Sequence, residues 1–406
     1  MYNALKTAEI LLPAPGTDLS KWAVVACDQY TAQPKYWADA EAYVGGAPST
    51  LRITLPEIWL GESETRIPAI HESMRRYLDE GVLTTCVQDG FMLVERTTAS
   101  GVRPGLVVAL DLEEYDFNKG SRSLIRPTEG TVIERVPPRA RIRRGAPVEL
   151  PHVMMLIDDP EDTVIGPLMA RRESLRKTYD FELMLGGGHL RGWAVEGDDV
   201  GCVYKAIDAL NEKADGFLYA AGDGNHSLAA AKSCWLDIRK DLTPEQMENH
   251  PARYALVELV NLSCPALIFE AIHRVLFNVD PEDLVKGYKA WLEENAVPVE
   301  DGRDVILFTQ GKEWGFKSVQ YPLRLLQAFL DDYLAGHPDI EVDYIHGEEA
   351  LRELVDRPDA MGIMPRAFDK TEFFDYIRKW GVLPRKAFSM GEAPEKRYYL
   401  EARRIL

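Results

Sequence analysis

The sequence predicts a mixed α/β fold, and three observations lead to it. Short apolar runs typical of buried strands alternate with segments whose apolar residues recur every three or four positions, as in helices. The stretch FLYAAGDGNHSLAAAK (217–232) passes from an apolar run through a glycine-rich turn directly into a helix-forming sequence. The composition, 46% hydrophobic and 28% charged, is that of a globular protein. The length of 406 residues suggests several domains, and we place boundaries near residues 150 and 280.

The first region, residues 1–150, is predicted to hold strands around one helix. Apolar runs predict strands at WAVVAC (22–27), FMLVER (91–96), LVVALDL (106–112) and TVIERV (131–136), the middle two as a hairpin. Helical spacing of apolar residues predicts a helix over 67–78, which Gly81 ends. The basic stretch PPRARIRR (137–144) is a local positive cluster in an acidic chain; the alternative is a solvated loop that balances nearby acids.

The second region, 151–280, contains further strands and helices. HVMMLID (152–158) and FLYAA (217–221) predict strands, whereas residues 174–185, 203–214 and 227–240 predict helices. In the third region, 281–406, Asp280-Pro281 predicts a helix start. VILFTQGKEWGFKSV (305–319) then predicts a hairpin, and strand-like and helical segments alternate as far as Trp380.

The overall charge limits the classes of function. Lys and Arg number 47 and Asp and Glu 65, so the formal net charge is −18, which argues against nucleic acid as the main partner, with PPRARIRR a possible local exception. The five cysteines lie far apart without a CxxC motif, which predicts neither a disulfide framework nor structural zinc and favours a cytoplasmic protein. Because no apolar run reaches the ~18 residues of a membrane span, we expect no membrane contact.

The turn GDGNHS (222–227) is the strongest chemical signal. Gly222 and Gly224 can adopt positive φ and admit a ligand close to the backbone. The helix that follows would present its first amides and its dipole to an anion such as phosphate. Four polar side chains stand at its mouth as candidate ligands or acid/base groups: Asp223, Asn225, His226 and Ser227. The alternative is a plain structural turn.

A second polar stretch is SLIRPTEGTVIERVPPR (123–139). Arg126 and Arg135 could bind phosphate in a fork, and Glu129 could serve as a base, or the stretch is an exposed edge of paired charges. In the tail, Lys386 and Lys396 are by default surface lysines. His152, His189 and His226 together with Asp223 could in principle form a metal site, although their long spacings give it no positive support.

Several of these stretches together resemble the family called domain of unknown function 1015. They occur in order as ACDQYTAQPKYW (26–37), STLRITLPE (49–57), GLVVALDLEEYD (105–116), GSRSLIRPTEGTVIERVPPR (120–139), ELPHVMMLIDDP (149–160), GGGHLRGW (186–193), GDGNHSLAAAK (222–232), HRV (273–275) and GVLPRKAFS (381–389). The chain resembles the branch in which GDGNHS replaces the more frequent ADGHHR, so Ser227 stands where that sequence has an Arg. The turn is similar to the phosphate-binding turn of the ParB/sulfiredoxin superfamily, which includes kinases of free serine.

This resemblance implies a ParB/sulfiredoxin-like nucleotide-binding core with additional α/β regions. The first hypothesis is an enzyme that binds ATP or ADP with Mg²⁺ through Gly222, Gly224, Asn225 and Ser227 and moves a phosphoryl group to or from a small hydroxylated metabolite, such as free serine. Asp223 or Glu129 would be the base, His226 a phosphate ligand or acid, and Mg²⁺ would bridge Asp223 to the phosphate. Arg126, Arg135 or Lys386 would replace the missing Arg. The alternatives are a non-catalytic module that binds a nucleotide or metabolite, and a metal-dependent hydrolase.

Overall fold

The computed structural model describes residues 2–26, 30–31, 33–318 and 321–406. Cys27 and Val319, which end two of the predicted strands, lie outside the described residues. The mixed α/β prediction is confirmed, because helices and strands alternate along the chain. The chain divides into two compact units, whereas the sequence suggested three regions. Unit 1 runs to Leu267 and adds Phe374–Gly381 and Gly391–Leu406; unit 2 comprises Ile268–Phe373 and Val382–Met390.

The helices and strands have the following bounds. The helices are α1 Leu19–Trp22, α2 Pro34–Val44, α3 Ser63–Asp79, α4 Val136–Arg143, α5 Gly166–Ala170, α6 Asp198–Lys213, α7 Asn225–Ile238, α8 Pro244–Asn249, α9 Pro281–Glu294, α10 Pro322–Ala335, α11 Glu348–Leu354 and α12 Phe373–Trp380. The strands are β1 Leu5–Lys6, β2 Ala8–Pro13, β3 Val24–Val25, β4 Leu83–Thr98, β5 Gly101–Asp111, β6 Ile125–Pro127, β7 Val148–Glu149, β8 Met154–Ile157, β9 Arg176–Glu182, β10 His189–Val195, β11 Tyr219–Asp223, β12 Tyr254–Asn261, β13 Phe269–Phe277, β14 Glu300–Thr309, β15 Lys312–Lys317, β16 Glu341–His346, β17 Ala360–Pro365, β18 Phe388–Met390, β19 Tyr398–Tyr399 and β20 Arg403–Arg404. Within the described ranges, no helix has the length and apolar character needed to cross a membrane.

Unit 1 is built on a ten-stranded mixed sheet with the order β6-β11-β8-β12-β5-β4-β10-β9, to which β1 and β2 add at β5 and β4. Both faces of this sheet are covered, because successive side chains of a strand point to opposite faces. Met92 and Val94 of β4 pack in one apolar cluster, whereas Phe91 and Leu93 pack in the other. The second cluster also contains residues of α6 and α7. Strands from both sides of residue 150 share this sheet.

Three strand ends meet at one edge of the sheet. β6 runs parallel to β11, so both finish at this edge, with Thr128 just after β6 and Asp223 as the last residue of β11. β8 runs antiparallel to β11, and Asp223 pairs with Met154, so β8 begins here. His152 and Val153 therefore precede the strand at the same edge. This register brings together parts of the chain that are about a hundred residues apart.

The last segment of the chain, Gly391–Leu406, belongs to unit 1 and is tied to it by short strands. β19 pairs with β3, Tyr398 lying opposite Val25, and β20 pairs with β7, Arg403 lying opposite Glu149. Leu400 is fully buried in the apolar cluster on that side of the sheet. The segment is therefore an integral part of the core of unit 1.

Unit 2 holds a six-stranded sheet with the order β15-β14-β17-β13-β16, to which β18 pairs through β13. The predicted hairpin is confirmed as β14 and β15. The predicted helix start is confirmed as well, because the Asp280 carboxylate accepts hydrogen bonds from the backbone amides of Glu282 and Asp283 at the start of α9. Buried in this unit, Arg274 donates to the carbonyl of Lys386 at 3.0 Å, which joins the HRV and LPRKAFS motifs.

Two sequence predictions of local structure are wrong. TVIERV, predicted as a strand, forms a 3-10 turn at Ile133–Arg135 and the start of α4. The stretch PPRARIRR, for which a solvated loop is one of two interpretations, lies mostly in that helix. Pro137 sits within the first helical turn, where its missing amide costs nothing. The predicted helix over 174–185 is instead strand β9, which pairs along β10.

Candidate functional site

The turn at Gly224 is a sharp strand-to-helix junction, as predicted. β11 ends at Asp223, Gly224 takes the left-handed conformation (φ 80°, ψ 21°), and α7 begins at Asn225. A Cβ atom on Gly224 would lie 3.0 Å from the Cα of Val153, which is tighter than an ordinary contact. Glycine is therefore required here both by the backbone angle and by the closeness of the neighbouring strand.

The start of α7 presents backbone donors. Gly224, the N-cap, offers no side-chain hydrogen bond to the helix, and its carbonyl accepts from the amides of Ser227 and Leu228 at 3.0 Å each. The amides of Asn225 and His226 precede these and have no acceptor within the helix, as in any first turn. Since the helix dipole adds positive potential at this end, the junction favours an anion.

Ser227 and His152 form a hydrogen-bonded pair beside the turn. The Ser227 Oγ and the His152 Nε2 are 2.9 Å apart, and either atom can be the donor, depending on the imidazole tautomer. The His152 ring packs edge-on against Tyr399, with 5.2 Å between ring centroids. The sequence did not indicate that His152 pairs with Ser227, because the two residues lie 75 positions apart in the chain.

The segment 128–132 crosses the turn and contacts it twice. Thr128 donates through Oγ1 to the Ala221 carbonyl at 2.8 Å. The side-chain nitrogen Nδ2 of Asn225 lies 3.4 Å from the same hydroxyl oxygen. The backbone amide of Val132 donates to the His226 Nε2 at 3.2 Å. The His226 Nε2 is therefore an acceptor, which assigns the proton of the neutral ring to Nδ1. Glu129 lies between these two contacts.

Asn225 carries an unused acceptor. Its side-chain oxygen Oδ1 is buried and has no hydrogen-bond partner among the described residues. A buried acceptor without a partner is uncommon in proteins and indicates a place where a donor of a ligand or water fits. This atom belongs to the first residue of α7.

Asp223 faces a buried lysine. Its Oδ1 accepts from the Gly224 amide at 3.0 Å, and its Oδ2 lies 3.9 Å from the Nζ of Lys396. Lys396 is only 8% exposed, although the sequence suggested a surface lysine by default. Burial, and to a lesser extent the nearby Glu57 and Asp223 carboxylates, raise the pKa of Tyr399, which keeps its phenol neutral. The segment Gly391–Leu406 thus supplies Lys396 and Tyr399, two side chains that local sequence patterns did not assign to the turn.

Of the basic residues predicted to bind phosphate, Arg126 lies away from the turn. The Arg126 guanidinium donates to the carbonyls of Ser123 and Gly216 and stacks over Phe217, so it sits at the opposite end of β11 from the turn. Arg135 is exposed at the start of α4. Lys386 is an exposed residue of unit 2.

The three histidines do not form one cluster. His152 and His226 lie at the turn, whereas His189 on β10 bonds to Asp180 and Glu182 at 2.7 Å each. Burial alone would lower the pKa of His189, but these two carboxylates raise it. Among the residues that the structure describes, no group of three or more His, Cys, Asp or Glu side chains is arranged to hold a metal ion.

Comparison of the sequence with protein families gives a match over most of the chain. A family model described as "protein of unknown function (DUF1015)" matches residues 11–333. The chain belongs to the DUF1015 family. No curated protein matches this DUF1015 chain. The family assignment confirms the resemblance seen in the sequence motifs and names no activity.

Solved structures with some likeness to this DUF1015 chain include kinases. A free serine kinase in complex with AMP is 12% identical, covers 72% of this chain and 90% of its own, and gives a TM-score of 0.38. A mutant of a free serine kinase in complex with ADP is also 12% identical. The match covers 72% of this chain and 91% of the kinase, with a TM-score of 0.39. A conserved hypothetical protein from Pyrococcus furiosus is 10% identical. The match covers 72% of this chain and 93% of that protein, with a TM-score of 0.37. At this level of similarity the chemistry of the turn itself has to indicate the function.

Proposed function

We propose that this DUF1015 chain binds the phosphates of a nucleotide at the turn 222–227 and uses them in phosphoryl transfer with a small hydroxylated metabolite. The observation that carries the proposal is the uncapped start of α7 at the left-handed Gly224, with the Ser227–His152 pair beside it. A helix start of this kind binds phosphate through backbone amides. Ser227 and His152 add side-chain donors next to those amides.

The charge of Asp223 decides how the phosphate enters. A carboxylate at the turn would repel a bare phosphate, so we propose that Mg²⁺ bridges the two. Asp223 fits this role, because Mg²⁺ in nucleotide sites is commonly held by one or two carboxylates together with phosphate oxygens and water. Its carboxylate is one-third exposed, which leaves it open to an ion. The bound ion would supply neutralisation of phosphate charge.

The remaining polar residues of the turn are assigned to the metabolite and to proton transfer. Glu129 lies on the segment that crosses the turn, where a carboxylate can take the proton of a substrate hydroxyl; Asp223 is the other candidate base. His226 carries its proton on Nδ1, because its Nε2 accepts from Val132, and that N–H can bind a phosphate oxygen. The Asn225 oxygen accepts a donor of the ligand.

Calorimetry with ATP, ADP and AMP, with and without Mg²⁺, tests the binding step. We expect Ser227→Ala to weaken nucleotide binding roughly 10- to 100-fold, since a hydrogen bond to a charged group contributes roughly 1.5–3 kcal/mol and about 1.4 kcal/mol is tenfold. Ser233→Ala, on the same helix but nearer its other end, is the matched control and should leave binding unchanged. Asp223→Asn should weaken only the Mg²⁺-dependent part. Absence of nucleotide affinity in the unmodified chain, or an effect of S233A equal to that of S227A, would contradict the proposal.

Measurement of ADP formation in the presence of free serine and related hydroxylated metabolites tests the chemical step. We expect Glu129→Gln to reduce turnover at least tenfold while nucleotide affinity stays within about twofold, since general-base groups contribute roughly 10²–10⁴-fold. Nucleotide binding without turnover for any metabolite would instead support the alternative of a non-catalytic binding module.

A further inference from the structure

Lys396 is a charged residue in contact with Asp223 that the proposed function does not use. Lysine is almost never buried unless its charge is paired, and this side chain is 10% exposed. Its Nζ lies 3.9 Å from the Asp223 Oδ2, which is an ion pair but longer than a hydrogen bond. The pair therefore places an ammonium beside the turn without closing on the carboxylate.

The backbone on either side of Lys396 is held by two buried arginines. Arg96 donates to the carbonyls of Lys396, Pro394 and Gly187, so it joins the tail to the GGGH motif. Burial and the neighbouring Arg103 lower the pKa of Arg96 to about 9, which still leaves it protonated at neutral pH. These bonds fix the position from which the lysine side chain extends.

Arg397 fixes the same segment on its other side. It is fully buried and binds Glu258 at 2.7 Å and Glu401 at 2.8 Å. Burial alone would lower the pKa of Arg397, but the acidic neighbours raise it. Glu258, Met154 and Asp223 lie in register across β12, β8 and β11, so Arg397 and Lys396 contact the two ends of one row of the sheet.

We propose that Lys396 is a phosphate-binding residue of the turn, delivered from the C-terminal segment. The proposal rests on the proposed function and names a ligand group that the turn sequence lacks. In it, the ammonium, whose Nζ lies 3.9 Å from the Asp223 Oδ2, binds an oxygen of the bound nucleotide phosphate. A lysine serves this purpose as a flexible point charge. Because its backbone is fixed by Arg96 and Arg397, little of its freedom remains to be lost on binding.

The test is ADP binding by calorimetry in the presence of Mg²⁺, the condition under which the proposed site holds the phosphate. We expect Lys396→Met to weaken binding 10- to 100-fold and to reduce its dependence on salt. Lys396→Arg keeps the charge and should stay within about fivefold of the unmodified chain. Lys205→Met, which removes an exposed lysine from α6, is the matched control and should bind normally. Thermal unfolding of each variant shows whether the fold is kept.

A measurement on the unmodified chain covers the case in which Lys396→Met does not fold. ADP should slow acetylation of Lys396 by acetic anhydride at least threefold, as followed by mass spectrometry, while Lys205 in the same sample is unaffected. If ADP binds and Ser227→Ala weakens it, but K396M binds normally or Lys396 is not protected, this inference is overturned and the proposed function stands. If the unmodified chain binds no nucleotide, both are overturned.

Discussion

Gly224 meets two requirements that other residues cannot meet together. Its φ of 80° is in the left-handed region, and Val153 occupies the space that a side chain would need. We expect Gly224→Ala to lower the free energy of unfolding by about 2–4 kcal/mol, since left-handed backbone costs an L-residue roughly 1–2 kcal/mol and the contact adds to it. Urea denaturation measures the change.

Gly216 provides the matched control for that substitution. It also has a positive φ, 73°, but nothing lies within 4 Å of a Cβ built on it. Gly216→Ala should therefore show the backbone cost alone, at about 1–2 kcal/mol. Equal losses for the two variants would show that the contact with Val153 relaxes and that a larger residue at position 224 is tolerated.

Arg397 neutralises two buried carboxylates, those of Glu258 and Glu401. We expect Arg397→Met to destabilise the chain by about 3–5 kcal/mol, because it leaves these charges buried without a partner. The triple variant that adds Glu258→Gln and Glu401→Gln should recover most of the loss, as measured by the denaturation midpoint. A triple variant no more stable than Arg397→Met would mean that packing rather than charge makes the arginine necessary.

At the scale of elements, the sequence predicted those whose local pattern agrees with their tertiary setting. The hairpin β4–β5, helix α6 and the junction from β11 to α7 were found where periodicity placed them. The segment 174–185 was predicted wrongly because its Glu, Leu, Arg and Lys favour a helix. Its strand conformation depends on pairing with β10, where Gly192, lacking a side chain, leaves room for the ring of Tyr179.

Glu395 fastens the C-terminal segment to the hairpin β4–β5. Its carboxylate accepts from the amides of Ser100 at 2.9 Å and Glu392 at 3.0 Å. Burial alone would raise the pKa of Glu395, but a bond from the Ser100 side chain, the two amide bonds and a bond from the Thr98 side chain lower it to about 2. Because the folded-state pKa is depressed, the stabilisation is present above the unfolded value of about 4.3 and is lost as the pH falls through about 2.

Glu395→Gln should therefore be less stable than the unmodified chain by about 2–3 kcal/mol at pH 7, with the difference shrinking below pH 4. Urea midpoints measured between pH 7 and pH 2.5 check this. Glu161→Gln, which alters an exposed carboxylate elsewhere in unit 1, is the control. A difference that does not depend on pH would assign the role of Glu395 to shape and not to charge.

At the scale of the whole molecule, the residues that surround the candidate site come from distant parts of the sequence and could not be predicted from it. The turn residues Asp223 to Ser227 could be selected from the sequence because they are contiguous and chemically dense. His152 and Lys396 could not be assigned to the turn, because only the register of β8 and the path of the tail bring them there. Conversely, the sequence made Arg126 a candidate phosphate ligand, but its guanidinium donates to the carbonyl of Gly216, at the other end of β11 from the turn.

The division into two units predicts that damage to one can leave ligand binding by the other intact. Asp280 caps α9 in unit 2, accepting from two backbone amides. Asp280→Ala should destabilise unit 2 by about 1 kcal/mol and raise hydrogen exchange in β13, β14 and β17, without changing nucleotide affinity. Asp280→Asn, which keeps a capping oxygen, should restore protection. Lost affinity in the Asp280→Ala chain would show that unit 2 contributes to binding.

Because unit 1 is built from segments far apart in the chain, its parts are synthesised at different times. Unit 2 is made between the two main parts of unit 1, and Leu400, Ala402 and Ile405 complete an apolar cluster that began with Ala8 and Ile10. At about 5–20 residues per second, roughly 10–30 s separate the translation of Asp223 from that of Lys396. During this interval the nascent sheet lacks the apolar contacts that Leu400, Ala402 and Ile405 make with this cluster. We therefore expect the emerging polypeptide to need chaperone protection until residues 400–405 have been made and packed.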